Sequence, residues 1–159
     1  MEITIRRMKP DDMAAAMAIL DQWNMAPAPA SEEREDPERS ELNADLSFVA
    51  LLGDRVVGVC SYIVHSPELV ETASLAVDPS IRGGGAGYLL QVARLREMKS
   101  RGFKTVHTET DRPDTIDWYI RKFGYKVVGS NPKKHAFSLD SVDEWTVLHL
   151  DLEAWEEDA

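Results

Sequence analysis

Four glycines fall within five residues at Arg82-Gly83-Gly84-Gly85-Ala86-Gly87, and this loop constrains the chain more than any other feature. Glycine lets the backbone take positive φ and lets peptide N–H groups approach an anion without a Cβ in the way. Residues 71–77 before the loop read as a strand, ended by Asp78-Pro79. The residues after it read as a helix to about Arg101, with Gly102 placed to cap its end. A helix that begins at such a loop adds its unbonded N–H groups and its dipole. Arg82 adds a full charge and a two-pronged donor. Strand, arginine, glycines and helix together make a diphosphate-binding site plausible on physical grounds.

Other nucleotide loops fit poorly. A P-loop ends in Gly-Lys-Ser/Thr, whereas Gly87 is followed by Tyr88-Leu89. A dinucleotide fingerprint needs Gly-x-Gly-x-x-Gly after the first strand of a βαβ unit. Here the spacing differs, and the loop follows the fourth strand of a mostly antiparallel run.

The chain has 159 residues, which favours one domain over 1–159, and its 43% hydrophobic content suffices for a core. No apolar stretch approaches bilayer length, and no long apolar run follows Arg6-Arg7 as a secretory signal requires. A cytoplasmic protein is expected. A formal net charge of −10 argues against a nucleic-acid partner. It leaves open a cationic substrate or simple solubility. The single cysteine, Cys60, rules out an internal disulfide and reads as a buried core thiol.

Along the chain, 3–6 reads as a strand. A helix then opens at Lys9-Pro10-Asp11-Asp12, with Asp11 or Asp12 as cap, and carries the stripe Met13, Met17, Leu20, Trp23. Residues 24–45 contain a breaker segment and a charged stretch, read as a loop with a polar helix. Strands 47–52 and 55–65 join at Gly53-Asp54, a hairpin signal. After the glycine loop, Ala86, Leu89, Leu90, Val92 and Ala93 suggest a well-buried helix. Then come strand 104–109, helix 114–123 stopped by Gly124, and strands 125–129 and 145–152, with 130–144 connecting the last two.

The segment 77–87, Val-Asp-Pro-Ser-Ile-Arg-Gly-Gly-Gly-Ala-Gly, resembles the acyl-CoA signature of the GNAT family of N-acetyltransferases. That signature is Gln/Arg-x-x-Gly-x-Gly/Ala, preceded by Val-x-Pro. Arg82, Gly85 and Gly87 occupy its fixed places, and the element order is similar over nearly the whole chain. The resemblance implies an α+β fold, layered α/β/α, with a central mixed, mostly antiparallel sheet and flanking helices. It implies acetyl-CoA as the acyl-donor cosubstrate and no metal. The pyrophosphate would lie on backbone N–H groups of Arg82, Gly83, Gly84, Gly85, Ala86, Gly87 and Tyr88. The pantetheine arm would pair with Leu75, Ala76 and Val77, between strands 71–77 and 104–109. The expected partner is a small-molecule or peptide amine, with no nucleic acid and no membrane, and a homodimer stays open. A non-catalytic acyl-CoA-binding module of the same fold is the alternative.

Acyl transfer needs a neutral amine, and a lysine-like amine of pKa about 10.4 is only about one part in 10³ neutral near pH 7. Glu71 lies eleven residues before Arg82, the offset of a catalytic glutamate in the family, and is the leading candidate base. Glu109, His107 and Asp111 end the neighbouring strand and could act through water. His65 is a weaker candidate. The family often places a tyrosine acid four residues before the glycine that here is Gly124. That position holds Ile120, and Tyr119 stands one residue early, about 100° around a helix. Tyr119 would then serve only with a shifted register. Otherwise the CoA thiolate leaves unaided. Trp23, Trp118 and Tyr119 read as core aromatics, with an acceptor pocket as the other option.

Overall fold

The computed structural model describes residues 2–23, 25, 42–81, 84–133, 139 and 141–157. The elements are β1 (Ile3–Arg7), α1 (Met13–Gln22), β2 (Ser47–Leu52), β3 (Arg55–Val64), β4 (Leu69–Val77), α2 (Ala86–Ser100), β5 (Thr105–Thr110), α3 (Pro113–Phe123), β6 (Lys126–Pro132) and β7 (Glu144–Asp151). The strands form one seven-stranded sheet in the order β1-β2-β3-β4-β5-β7-β6. Neighbours are antiparallel at β1–β2, β2–β3, β5–β7 and β6–β7, and parallel at β4–β5. The mixed, mostly antiparallel sheet and its helices bear out the expected fold class. The polar helix expected within 24–45 lies mostly outside the described residues.

The chain divides into two compact units, residues 1–63 with 73–94 and residues 64–72 with 95–159. In the first unit, strand alternation sends successive side chains to opposite faces. Val49 joins a cluster with Ala16, Ile19 and Leu20 of α1. Its neighbour Ala50 joins another with Ala86 and Leu90 of α2. Both faces of this part of the sheet are therefore covered by helices. The approach of α2 is close at Gly58, where an added Cβ would stand 3.0 Å from Leu90 Cδ1 and 3.3 Å from the Ala76 carbonyl. Cys60 is buried in the same cluster, and desolvation pushes its thiol up to about 11. It is a core residue, as its sequence context suggests.

The start of α1 differs from expectation. A 3-10 turn, Pro10–Asp12, precedes the helix, and Asp12 caps backward rather than forward. Its carboxylate accepts the Lys9 N–H at 2.8 Å and pairs with Arg6 at 2.6 Å. These partners, the Arg6 bond foremost, hold its pKa below the usual carboxylate value. The Met13, Met17, Leu20, Trp23 stripe packs inward as expected, with Leu20 fully buried.

Helix α2 departs more from its apolar pattern. Leu89 is 38% exposed, whereas Gln91 and Arg94 are completely buried. Arg94 donates from Nε to Gln91 Oε1 at 3.0 Å and from one terminal nitrogen to the carbonyls of Ser61 on β3 and Ser74 on β4, at 2.9 and 2.8 Å. Its other terminal nitrogen also bonds Gln91. The planar guanidinium fork thus satisfies backbone carbonyls of two strands inside the core.

In the second unit, α2 ends at Gly102 with φ +88, and α3 ends at Gly124 with φ +83, both as the sequence indicates. The last turn of α3 closes with Gly124 N–H to the Ile120 carbonyl and Tyr125 N–H to the Tyr119 carbonyl. This closure tucks buried Tyr125 against Tyr119, with ring centroids 4.8 Å apart. Strand β6 runs to Pro132, so it extends into the segment expected to be connection.

Candidate functional site

The proposed donor loop belongs to the first unit. Strand β4 ends at Val77, and Asp78 turns the chain into a 3-10 turn, Pro79–Ile81. Asp78 accepts the Ser80 N–H at 2.9 Å and its hydroxyl at 2.8 Å, and pairs with Arg55 at 2.6 Å. The Ser80 bonds, with Arg55 beside them, lower its pKa. Arg82 and Gly83 lie outside the described residues. Gly84 and Gly85 are exposed, and Gly85 has φ +81, a conformation that favours glycine. Among the described residues, chain neighbours aside, no atom lies within 4 Å of where a Cβ on Gly85 would stand, so the loop is open on that side. Helix α2 starts immediately after, with Ala86 buried as its anchor. Its first turn closes with Leu89 N–H to the Gly85 carbonyl at 3.0 Å. Peptide N–H groups earlier in that turn have no acceptor within the helix by geometry.

Leu75 and Val77 of β4 are half-buried and Ala76 is buried. The Val77 carbonyl accepts the indole N–H of Trp23 at 2.9 Å. That carbonyl is therefore already engaged, and Trp23 packs with the core cluster over α1.

The proposed proton site belongs to the second unit, and strand register builds it. Glu71 on β4 stands opposite His107 on β5, and His107 stands opposite His149 on β7. Residues directly opposite share a face, and Glu109 shares it two positions along. Donor atoms of Glu71, His107 and Glu109 all lie within 4.8 Å of one another. His107 Nδ1 meets His149 Nε2 at 2.9 Å, and His107 Nε2 meets Glu109 at 3.3 Å. Asn131 on β6 donates to Glu109 at 2.8 Å. One imidazole and two carboxylates form a donor set that a divalent cation could use. Glu71 itself is 3% exposed, and His65 Nε2 contacts its Oε1 at 2.7 Å. Beside it, the hydroxyls of Thr72 and Thr108 bond across the β4–β5 pair.

Burial, and secondarily the neighbouring His107, lower the pKa of His149. The folded protein thus favours neutral His149, and its contribution to stability is complete above the unfolded value of about 6.5. It is lost as pH falls through the lower folded pKa. Urea midpoints should therefore drop on acidification below pH about 6.5, and His149→Gln should flatten that drop.

The remaining candidates lie elsewhere. Asp111 is buried and accepts Lys133 Nζ at 2.6 Å and the Leu139 N–H at 2.8 Å. Lys133 also stands 4.7 Å from the Trp145 ring centre. Tyr119 is 4% exposed among Trp118, Phe123 and Tyr125, and Ile120 faces outward at 39%. The one-residue offset thus turns Tyr119 into the aromatic cluster, the core option for Trp118 and Tyr119. The sequence drew attention to Glu71, His107 and Glu109 one by one. The part of His149 was missed, because no local signal reports which residues face each other across strands.

Among the described residues, no helix is long and apolar enough to cross a membrane. A profile of the acetyltransferase (GNAT) family matches residues 15–125. The chain is 34% identical over 82 residues to a mycothiol acetyltransferase of Actinosynnema mirum, a match covering 50% of this chain and 28% of that protein. An N-acetyltransferase from Staphylococcus aureus superposes with TM-score 0.71 at 20% identity, covering 96% of this chain and 99% of that one. The yncA protein of Salmonella typhimurium, solved with its cofactor acetyl-CoA, gives 0.72 at 19% identity, covering 100% and 97%. At these identities the structural likeness establishes the fold. With the family profile spanning more than half of its residues, the chain belongs to the acetyltransferase (GNAT) family.

Proposed function

We propose that this protein transfers an acetyl or other short acyl group from acetyl-CoA to a primary amine by direct attack. The observation that carries the reading is the open, left-handed Gly85 between the end of β4 and the start of α2, in a chain of this family. The loop from Arg82 to Tyr88 binds the pyrophosphate through backbone N–H groups, and Arg82 adds charge. Leu75, Ala76 and Val77 supply the strand edge for pantetheine, with the Val77 carbonyl left to Trp23. A peptide N–H on that edge polarises the thioester carbonyl. Proton removal is organised around Glu71, with His107 and Glu109 beside it. Burial of Tyr119 among aromatic rings supports a structural role for that residue, and the thiolate of CoA, a thiol of pKa about 8.5, leaves without it.

Both β4 and α2 run from one compact unit into the other, which supports one acetyltransferase domain over 1–159; we place its action in the cytosol. The acceptor is an amine on a small molecule or peptide, and the net charge of −10 favours a cationic one. No metal takes part in this reaction.

A CoA-release screen over an amine library tests the proposal. At least one amine should be turned over, with undiminished rate after treatment with EDTA. Arg82→Ala should raise KM for acetyl-CoA about tenfold or more, and Glu71→Gln should lower kcat about 10²-fold or more. Acetyl-CoA binding in calorimetry with a flat screen would leave a binding module instead, the reading that the outward Ile120 favours. No binding heat at high concentration would defeat both.

A further inference from the structure

Glu71, His107 and Glu109 lie together within the second unit, and each is oriented by a partner of its own. His107 Nδ1 meets His149 Nε2 at 2.9 Å, so Nε2 is the ring atom toward Glu109 Oε2, at 3.3 Å. Asn131 donates to the other Glu109 oxygen, Oε1, at 2.8 Å. His65 Nε2 donates to Glu71 Oε1 at 2.7 Å. A carboxylate can accept several hydrogen bonds over its two oxygens, so these partners orient the glutamates without using them up. An outer hydrogen bond on every donor is how metal-binding side chains are held in place, and surface acids that merely cluster have no need of it.

The spacing fits a small cation. Ligands about 2.1 Å from zinc and set at tetrahedral angles stand about 3.4 Å apart. The His107 and Glu109 atoms are already at 3.3 Å. A Glu71 oxygen lies within 4.8 Å of both, so it has to close by at most about 1.4 Å to reach that spacing. We propose that Glu71, His107 and Glu109 bind a zinc ion, with the remaining coordination left to solvent. Two carboxylates and one neutral imidazole balance a dication, beside a Glu71 that is 3% exposed. One ring nitrogen with few oxygens suits zinc. Calcium takes more oxygens, and magnesium prefers an octahedron of oxygens that keeps its water. With zinc on Nε2, His107 carries its ring proton on Nδ1 and donates it to His149 Nε2. The ion takes no part in acyl transfer. It engages Glu71, the candidate base, and so switches turnover off. That consequence, unlike the site, rests on the transferase reading above.

Calorimetric titration of the metal-free protein with zinc chloride should show one ion bound per chain, not displaced by a large excess of Mg²⁺ or Ca²⁺. Glu109→Gln and His107→Gln should each weaken binding about 10²-fold or more, and Asn131→Ala about tenfold. Urea melts show which variants fold. X-ray absorption on the zinc-loaded wild-type protein depends on no variant and should show one imidazole nitrogen with oxygen donors. Zinc affinity within about threefold of wild type in folded Glu109→Gln or His107→Gln would overturn the site. So would displacement by Mg²⁺, a sulfur donor, or two or more imidazoles on the ion. With an amine found by the screen, zinc should abolish turnover and EDTA should restore it. Full turnover with zinc bound would overturn the switch. A protein that binds zinc and turns over no amine would fail the transferase reading alone. Turnover without zinc binding would fail this site alone.

Discussion

Replacing Gly85 with valine should remove measurable acetyl-CoA binding while lowering stability by only about 1–2 kcal/mol. The two effects have separate origins. Gly85 holds φ +81, which a β-branched residue adopts only under strain, and that strain sets the loss of stability. A new Cβ at this position meets no atom of the described residues, its chain neighbours aside, within 4 Å, so they add no clash. A diphosphate seated on the loop changes this, because the valine side chain would occupy the space through which peptide N–H groups reach the anion. Calorimetric titration with acetyl-CoA and a urea melt on the same preparation give both quantities. Binding within about threefold of wild type would place the anion elsewhere, since strain of 1–2 kcal/mol borne equally by free and bound protein cancels from the affinity. Gly102 and Gly124 have similar φ values and open surroundings, so valine at either should cost comparable stability and spare binding.

Arg94→Met should be the more damaging change for the fold, costing about 3–5 kcal/mol. Methionine follows the stem of the arginine side chain to the ε position and fills that space with apolar atoms. It cannot replace the donors, so the Ser61 and Ser74 carbonyls and the Gln91 amide oxygen lose the guanidinium in a site without water access. Such a loss is a large fraction of the roughly 5–15 kcal/mol that holds a typical domain folded. The urea midpoint should fall accordingly, and Arg94→Lys should land between, since one ammonium cannot span both strands and Gln91. Arg121→Met is the matched control. Its partner Asp117 lies one turn away on exposed α3, and its removal should change stability by no more than about 0.5 kcal/mol.

These two residues lie nine positions apart and were unequally legible. Gly85 announces itself, because a run of glycines at the end of a strand has few explanations. Arg94 does not. In a helix that also carries Arg96 and Lys99, a buried arginine looks like its solvated neighbours. Only the packing of α2 across β3 and β4 sets Arg94 over the carbonyls of Ser61 and Ser74. Leu89 shows the converse, an apolar residue that the helix turns outward.

What the sequence determined by itself was local or short-range. The hairpin at Gly53-Asp54, the glycine ends of α2 and α3, the buried Cys60 and the loop after β4 all follow from backbone sterics or from side chains a few residues apart. The candidate proton site shows the other kind of information. Glu71, His107, Glu109 and His149 come from three strands, and their alternation only says that each faces one side of the sheet. Which residues stand opposite is a matter of register, and register is fixed by how the strands pair over long sequence distances. The same holds for Tyr119, whose inward turn follows from the Gly124 closure that seats Tyr125 against it. The His65–Glu71 contact was likewise a tertiary decision, because six residues and a turn separate them and only the fold of the β3–β4 connection brings the imidazole onto the carboxylate.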